Sequence, residues 1–142
     1  MKVAYPIVLS KGKKYVIVYI PDFNINTQGT DEADAMKMAR DAIGIVGIDM
    51  QDEQELLPEP TDLSDIAKEY KQDIVTLVDV DFTEYRRKND LKAIKKNCTI
   101  PSWLNFEAEK AGINFSATLQ TALKQELKIG EPYIPYNKTT KR

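Results

Sequence analysis

The sequence predicts an α+β protein in two parts: a sheet domain with one main helix, then a strand-helix-helix module with a basic tail. Three observations predict it. Segments with strand character, Val3 to Leu9, Tyr15 to Ile20 and Asp73 to Phe82, flank one long stretch of helical period, which makes a sheet with one helical face. Between Lys92 and Leu127 the pattern switches from alternation to helical spacing. The formal net charge of −2 also conceals an asymmetry, since residues 1–82 hold 8 Lys/Arg and 16 Asp/Glu, and residues 83–142 hold 12 and 6. An acidic half repels nucleic acid and a basic half attracts it, so two domains with different partners is the simplest reading. The expected boundaries are 1–82 for the acidic domain, 83–90 for a linker, 91–129 for the basic module and 130–142 for the tail. A length of 142 residues accommodates one ordinary domain or two small ones sharing dimer contacts.

The first strand places Val3, Tyr5, Ile7 and Leu9 on one side, and Pro6 within it suggests an edge or a bulge. Ser10-Lys11-Gly12-Lys13 is a turn. Tyr15 to Ile20 is nearly continuous in apolar residues, as a strand covered on both faces would be, and Pro21-Asp22 ends it. A short third strand is expected around Asn26 to Gln28. Thr30 is in position to cap a helix whose first turn holds Asp31 and Glu32, where acids suit the dipole. Met36, Ala39, Ile43 and Val46 mark the buried stripe, and Gly47 is expected to end the helix. Gln51 to Leu63, with Pro58 and Pro60, reads as a surface loop, followed by a short helical turn near Asp62 to Ala67 and the fourth strand. Thr83 to Asp90 reads as a solvated link whose Arg86-Arg87-Lys88 run lies close enough to the next module to touch phosphates.

In the basic module, Ile94, Lys96, Cys98 and Ile100 share one face of a strand, and Ala93, Lys95, Asn97 and Thr99 the other. Pro101 stops the strand and suits the first turn of a helix. Leu104, Ala108 and Ala111 form one helical face, Gly112 closes that helix, and Asn114 can cap the next, whose stripe is Leu119, Ala122, Leu123 and Leu127. One strand and two short helices are too few to bury a core alone, and a strand with its whole edge free invites a partner. Two copies pairing their strands under four helices solves both problems. This arrangement resembles the ribbon-helix-helix DNA-binding fold. The resemblance implies that Lys95, Asn97 and Thr99 enter the major groove, where lysine can reach guanine, asparagine suits adenine, and threonine reads a polar edge or a thymine methyl. Asn114, Phe115 and Ser116, at the start of the second helix, would offer backbone N–H groups to a phosphate. A dimerisation module with merely solvated lysines is the plainer alternative. Beyond Lys128, Gly130 is expected to end the last helix, Pro132 and Pro135 to keep the chain extended, and Lys138, Lys141 and Arg142 to form the basic tail.

The phrases AYPIVLSKGKKYVIVYIPDF, TQGTDEADAMKMARDAI and IVTLVDVDF resemble the HicB antitoxin family over roughly residues 3 to 127. That resemblance implies a truncated ribonuclease H-like sheet joined to a DNA-binding module, here of the ribbon-helix-helix kind. Asn24-Ile25-Asn26 stands where the family usually has Pro-Gly, so the loop departs from its pattern there. The implied partners are a HicA-like toxin that cleaves messenger RNA, the operator DNA of the protein's own operon, and a second copy of the chain, as a dimer or a higher oligomer. An acidic domain suits an RNA-cleaving protein, which must present positive surface to phosphates. Asp22, Phe23 and Asn24, after the second strand, are candidate toxin contacts: a charge, an aromatic anchor and a polar group. An ordinary strand-end turn with Phe23 tucked into the core is the alternative.

Composition narrows the chemistry. The chain has no histidine, which removes Ser-His and Cys-His catalysis and most zinc sites, and its single cysteine, Cys98, reads as a small inward residue. No cofactor or metal is expected. No apolar run approaches transmembrane length and no signal-peptide pattern opens the chain, so a cytoplasmic protein without membrane contact is expected. Asp79 and Asp81, two apart on the fourth strand, admit a metal-dependent nuclease with Asp22 as a third carboxylate, but polar residues on an exposed strand face are the commoner case. Tyr5, Tyr15 and Tyr19 admit a repressor with a ligand pocket, although tyrosines at strand spacing usually pack in sheets. The chain is read as a binding protein and not an enzyme.

Overall fold

The computed structural model describes residues 1–129, in two compact units that divide between Ala93 and Ile94. The first unit runs β1 (Lys2–Lys11), β2 (Val16–Ile20), β3 (Ile25–Gly29), α1 (Glu32–Asp52), α2 (Leu63–Glu69), β4 (Ile74–Asp81) and α3 (Phe82–Asn89). Its four strands form one antiparallel sheet in the order β3-β2-β1-β4. The pairings Tyr5 with Val78 and Leu9 with Val18 set one apolar face, and α1 covers it with Ala35, Ala39 and Ile43. Ile7, Val16, Val18, Ile20, Val78, Val80 and Phe82 complete that core, each worth on the order of 1.5–3 kcal/mol when fully buried. Met36 is partly buried against this core, and Val46 is half-buried.

The sheet has a helix on its second face too. Pro6 and Val8 are buried on the side away from α1, and α2 packs there on β1 and β4 with Ile66 6 % exposed. The expectation of one helical face is therefore incomplete. The expectation that Tyr15 to Ile20 is covered on both faces also fails: Val16, Val18 and Ile20 are buried, while Ile17 is 41 % exposed. Pro6 sits in an interior strand, opposite Leu77 of β4. Pairing with β2 spans only Val8 to Lys11, so at Pro6 the strand is locally an edge and no ladder bond to β2 is missing.

Three expectations about helices change. The cap of α1 is Asp31, not Thr30: its carboxylate accepts the Asp34 N–H at 2.8 Å, and Asp34 in turn accepts the Thr30 N–H at 2.9 Å. Gly47 does not end α1, which continues to Asp52. A methyl group at Gly47 would collide with the Phe82 ring, and one at Gly44 would lie 2.6 Å from Tyr85 Cδ1. The two glycines therefore admit rings arriving from α3. Residues 83–90, expected as a linker, are helical over most of their length, and the compact unit extends past them to Ala93. Phe82 is buried, the Tyr85 hydroxyl donates to Asp41 at 2.8 Å, and Arg86 bonds to Asp52 Oδ1 at 2.9 Å. The Arg86-Arg87-Lys88 run is accordingly not a uniformly solvated patch, because its first member points into α1.

The sheet edge at β4 has a guard. Arg40 of α1 donates from Nε to the Asp79 carbonyl at 2.9 Å and from Nη2 to the Asp79 carboxylate at 3.2 Å. An outward-facing carbonyl that would otherwise await a strand is thus occupied.

The second unit contains α4 (Ser102–Lys110) and α5 (Phe115–Glu126). The strand expected over Ala93 to Ile100 has no partner within the described residues, and the segment has no regular secondary structure. A strand requires ladder bonds to a neighbour, and a single copy supplies none here. Asn114 caps α5 as its position predicts, its side chain accepting the Ala117 N–H at 3.0 Å, and Gly112 turns the chain with φ of +72°. Neither α4 nor α5 has a buried residue. The last helix does not run to Gly130 as expected: α5 ends at Glu126, with Leu127 as its C-cap and Lys128 turning the chain at φ of +57°. Gly130 itself and the basic tail lie outside the described residues.

Candidate functional site

Two regions carry the candidate residues, one in each unit. In the first, β2 delivers Pro21 to Asn24 into a tight turn, with Phe23 N–H bonded to the Ile20 carbonyl and Asn24 N–H to the Pro21 carbonyl. All three sequence-predicted residues there have internal partners. Asp22 accepts the Thr61 N–H at 3.0 Å and also the Thr61 hydroxyl. Phe23 packs edge-on against Tyr5 with ring centroids 4.9 Å apart, partly buried against the core. Asn24 takes φ of +51° and accepts the Tyr19 hydroxyl at 3.0 Å.

The same contacts organise the loop between α1 and α2. Tyr5 donates to the Pro58 carbonyl at 2.8 Å, Leu57 packs on the core, and Asp22 holds Thr61. Burial, with the charges of Asp22 and Glu59, raises the Tyr5 pKa, which keeps the hydroxyl a donor. Between these anchors Leu56 is presented to solvent at 91 % exposure, beside Glu55 and Glu59. Sequence reading singled out Asp22 and Phe23 as candidate contacts but missed the loop that they position, because a hydrogen bond spanning 39 residues leaves no local pattern.

In the second unit Lys95, Asn97 and Thr99 are exposed on the segment before α4, together with Ile94, which is about four-fifths exposed. Asn114, Phe115 and Ser116 form the exposed start of α5, and the Phe115 and Ser116 N–H groups have no partner among the described residues. Cys98, expected on an inward face, is exposed in the single chain. Trp103, Leu104, Phe106, Leu119, Leu123 and Leu127 are all exposed as well.

The carboxylates of the nuclease alternative are engaged elsewhere. Asp79 bonds to Arg40 and lies 3.7 Å from Lys2, and the Arg40 hydrogen bond chiefly holds its carboxyl below the ordinary range. Asp81 caps α3 by accepting the Glu84 N–H, which likewise lowers its pKa. No group of three or more His, Cys, Asp or Glu side chains able to hold a metal occurs among the described residues. The ligand-pocket alternative loses its geometry: Tyr5 faces α1, whereas Tyr19, paired with Val8, lies on the opposite face beside Tyr70. No described helix is long and apolar enough to cross a membrane.

Together these features define the class: an α+β protein with a helix on each side of an antiparallel sheet, extended by an uncovered helix pair. The chain belongs to the HicB-like antitoxins of bacterial toxin–antitoxin systems, whose family model matches residues 5–121. It is similar to a chain of a toxin–antitoxin complex from Streptococcus pneumoniae, with 28 % identity over 89 % of this chain and 99 % of that one, and a TM-score of 0.55. The antitoxin HicB of Burkholderia pseudomallei shares the fold, with 22 % identity, a TM-score of 0.52, and 91 % and 99 % of the two chains covered. No curated protein matches the chain.

Proposed function

We propose that this antitoxin neutralises a HicA-like, messenger-RNA-cleaving toxin through its first unit and binds the operator of its own operon through a dimer of its second. The observation that carries the reading is the second unit's lack of a core. Its helices hold Leu104, Leu119, Leu123 and Leu127 in exposed positions and bury nothing. Such surface finds cover when a second copy arrives, with the segments around Ala93 to Ile100 paired as a ribbon and the helices packed over it. In that ribbon-helix-helix dimer Lys95, Asn97 and Thr99 read bases in the major groove, and the first N–H groups of α5, at Asn114 to Ser116, hold a phosphate.

The first unit is read as a truncated ribonuclease H-like sheet whose task is to cover another protein. It carries 12 Lys/Arg and 18 Asp/Glu, which suits a basic, RNA-binding partner. Asp22, Phe23 and Asn24 contribute by fixing the surface beside them. Both partners are cytoplasmic, and occupancy of both surfaces couples repression to the ratio of toxin to antitoxin.

The test is to co-express the adjacent short reading frame with residues 1–93, or with the full chain, and to score growth and co-purification. Rescue by the fragment with a stable complex establishes neutralisation by the first unit. Rescue by the full chain alone makes dimerisation part of the toxin site. Rescue by neither removes the antitoxin reading for this partner. Operator binding by the full chain, lost in the fragment, tests the second half.

A further inference from the structure

Negative charge is unevenly placed within the first unit. Residues 49–69 hold eight Asp/Glu and one lysine, a net of −7, while the whole of residues 1–93 nets only −6. This stretch begins at the C-terminal end of α1, a helix with no basic residue in its last turn. The negative pole of the helix dipole is therefore reinforced by Asp49, Asp52 and Glu53 where cations are normally found.

A groove of about 310 Å³ opens at that end, between the last turns of α1 and the end of α3. Ile45, 53 % exposed, forms an apolar wall with Val46 and Ile48, and Asp49, Asp52 and Asp90 form an acidic rim. Arg86 already answers part of this field: it bonds to Asp52, lies 3.8 Å from Asp90, and donates to the Ile48 carbonyl and to Gln51. Lys92 also lines the groove. Asp49 makes no ion pair among the described residues, so one carboxylate beside an apolar wall is left for a visitor.

We propose that this groove seats a cationic side chain of the basic toxin, most favourably an arginine. Its aliphatic stem lies on Ile45, and its guanidinium reaches Asp49 across the end of α1. The choice of occupant follows from charge and shape. The groove volume suits one long side chain and its neighbour, an arginine stem covers apolar surface while its head stays polar, and a planar guanidinium can take both oxygens of one carboxylate. The inference rests on the toxin-neutralising reading and gives that reading an address.

The experiment measures the affinity of the full-length antitoxin for its proposed HicA-like toxin, purified, by calorimetry, with operator binding and circular dichroism as controls of fold. Asp49→Lys should weaken toxin binding by about tenfold or more, as loss of an arginine hot spot does. Ile45→Ser, which changes no charge, should also weaken it, by at least about threefold. Glu69→Lys, an equal charge change on α2, should stay within about twofold of wild type, and operator binding should be unchanged in all three. The groove is the wrong site if Asp49→Lys and Ile45→Ser bind like wild type, or if Glu69→Lys weakens binding as much as Asp49→Lys. A wild-type protein that does not bind the toxin overturns the functional reading and the groove together.

Discussion

Asp22 and Thr61, 39 residues apart, are joined by two hydrogen bonds through one carboxylate, which accepts both the backbone N–H and the hydroxyl of the threonine. The pair ties the end of the second strand to the loop that follows α1. Bonds to a charged acceptor contribute roughly 1.5–3 kcal/mol each when partly buried. Asp22→Ala should therefore lower stability by about 2–3 kcal/mol in urea unfolding and speed amide exchange across residues 55–61. An unchanged exchange pattern there would show that the loop is held without Asp22.

Gly47 and the Phe82 ring share one space. A methyl group at Gly47 meets a ring that is buried and has nowhere to turn. Gly47→Ala gains about 1 kcal/mol of helix propensity but loses roughly 1–3 kcal/mol to overpacking, so the net effect should be neutral to destabilising by about 2 kcal/mol. Chemical denaturation of the single variant, and of Gly47→Ala with Phe82→Leu, checks the account: the second change should relieve part of the first.

Leu119 and Leu123 lie exposed along α5. Leu123→Asp should weaken self-association at least about a hundredfold, because a side chain worth roughly 2 kcal/mol is lost from each of two copies. Sedimentation equilibrium of the full chain reads this directly. Operator binding should fall with it, while toxin binding by the first unit persists.

Asn97→Ala should weaken operator discrimination and leave the dimer folded. A bidentate base contact is worth about 1–3 kcal/mol, so the preference for operator over a scrambled duplex should drop about tenfold or more. If affinity and sequence preference match wild type, the proposed strand register is wrong. Pro101→Ala should hurt less, since only the start of α4 is touched.

Two groups set opposite pH limits. Asp79 has a folded pKa below its ordinary 3.8, chiefly through Arg40. Its contribution is complete above the ordinary value and is lost as pH falls below it, so Arg40→Ala should flatten the acid limb of stability against pH. Tyr85 is raised from 10.0 to about 12, chiefly by burial and then by its bond to Asp41. Its contribution is complete below pH 10 and is lost as pH rises toward 12. Ultraviolet titration of wild type against Tyr85→Phe should show one late-ionising phenol missing from the variant.

The strands, α1 and the helix pair were legible because their apolar residues repeat at the spacing of the structure they form. The family was legible for the same reason, since its phrases fall on those elements. α3 was not: only Phe82 among its eight residues is buried, and its charged run looks solvated until Arg86 is seen against α1. Gly47 looked like a helix end because the ring that explains it lies 35 positions further on. Asp22 was singled out for its place after a strand, yet its partner sits in a loop whose own sequence suggests only surface. Long-range pairings of single side chains leave no periodic trace.

Arg40 has a further consequence, which concerns many molecules at once. With its guanidinium on the Asp79 carbonyl, an arriving chain meets a cation where it would need an acceptor for its own N–H. Beyond its part in acid stability, the contact bears on how molecules meet one another in a concentrated solution. Arg40→Ala should leave that carbonyl open to a second strand, so its effect should register as slow fibrous precipitation in addition to the change in acid stability.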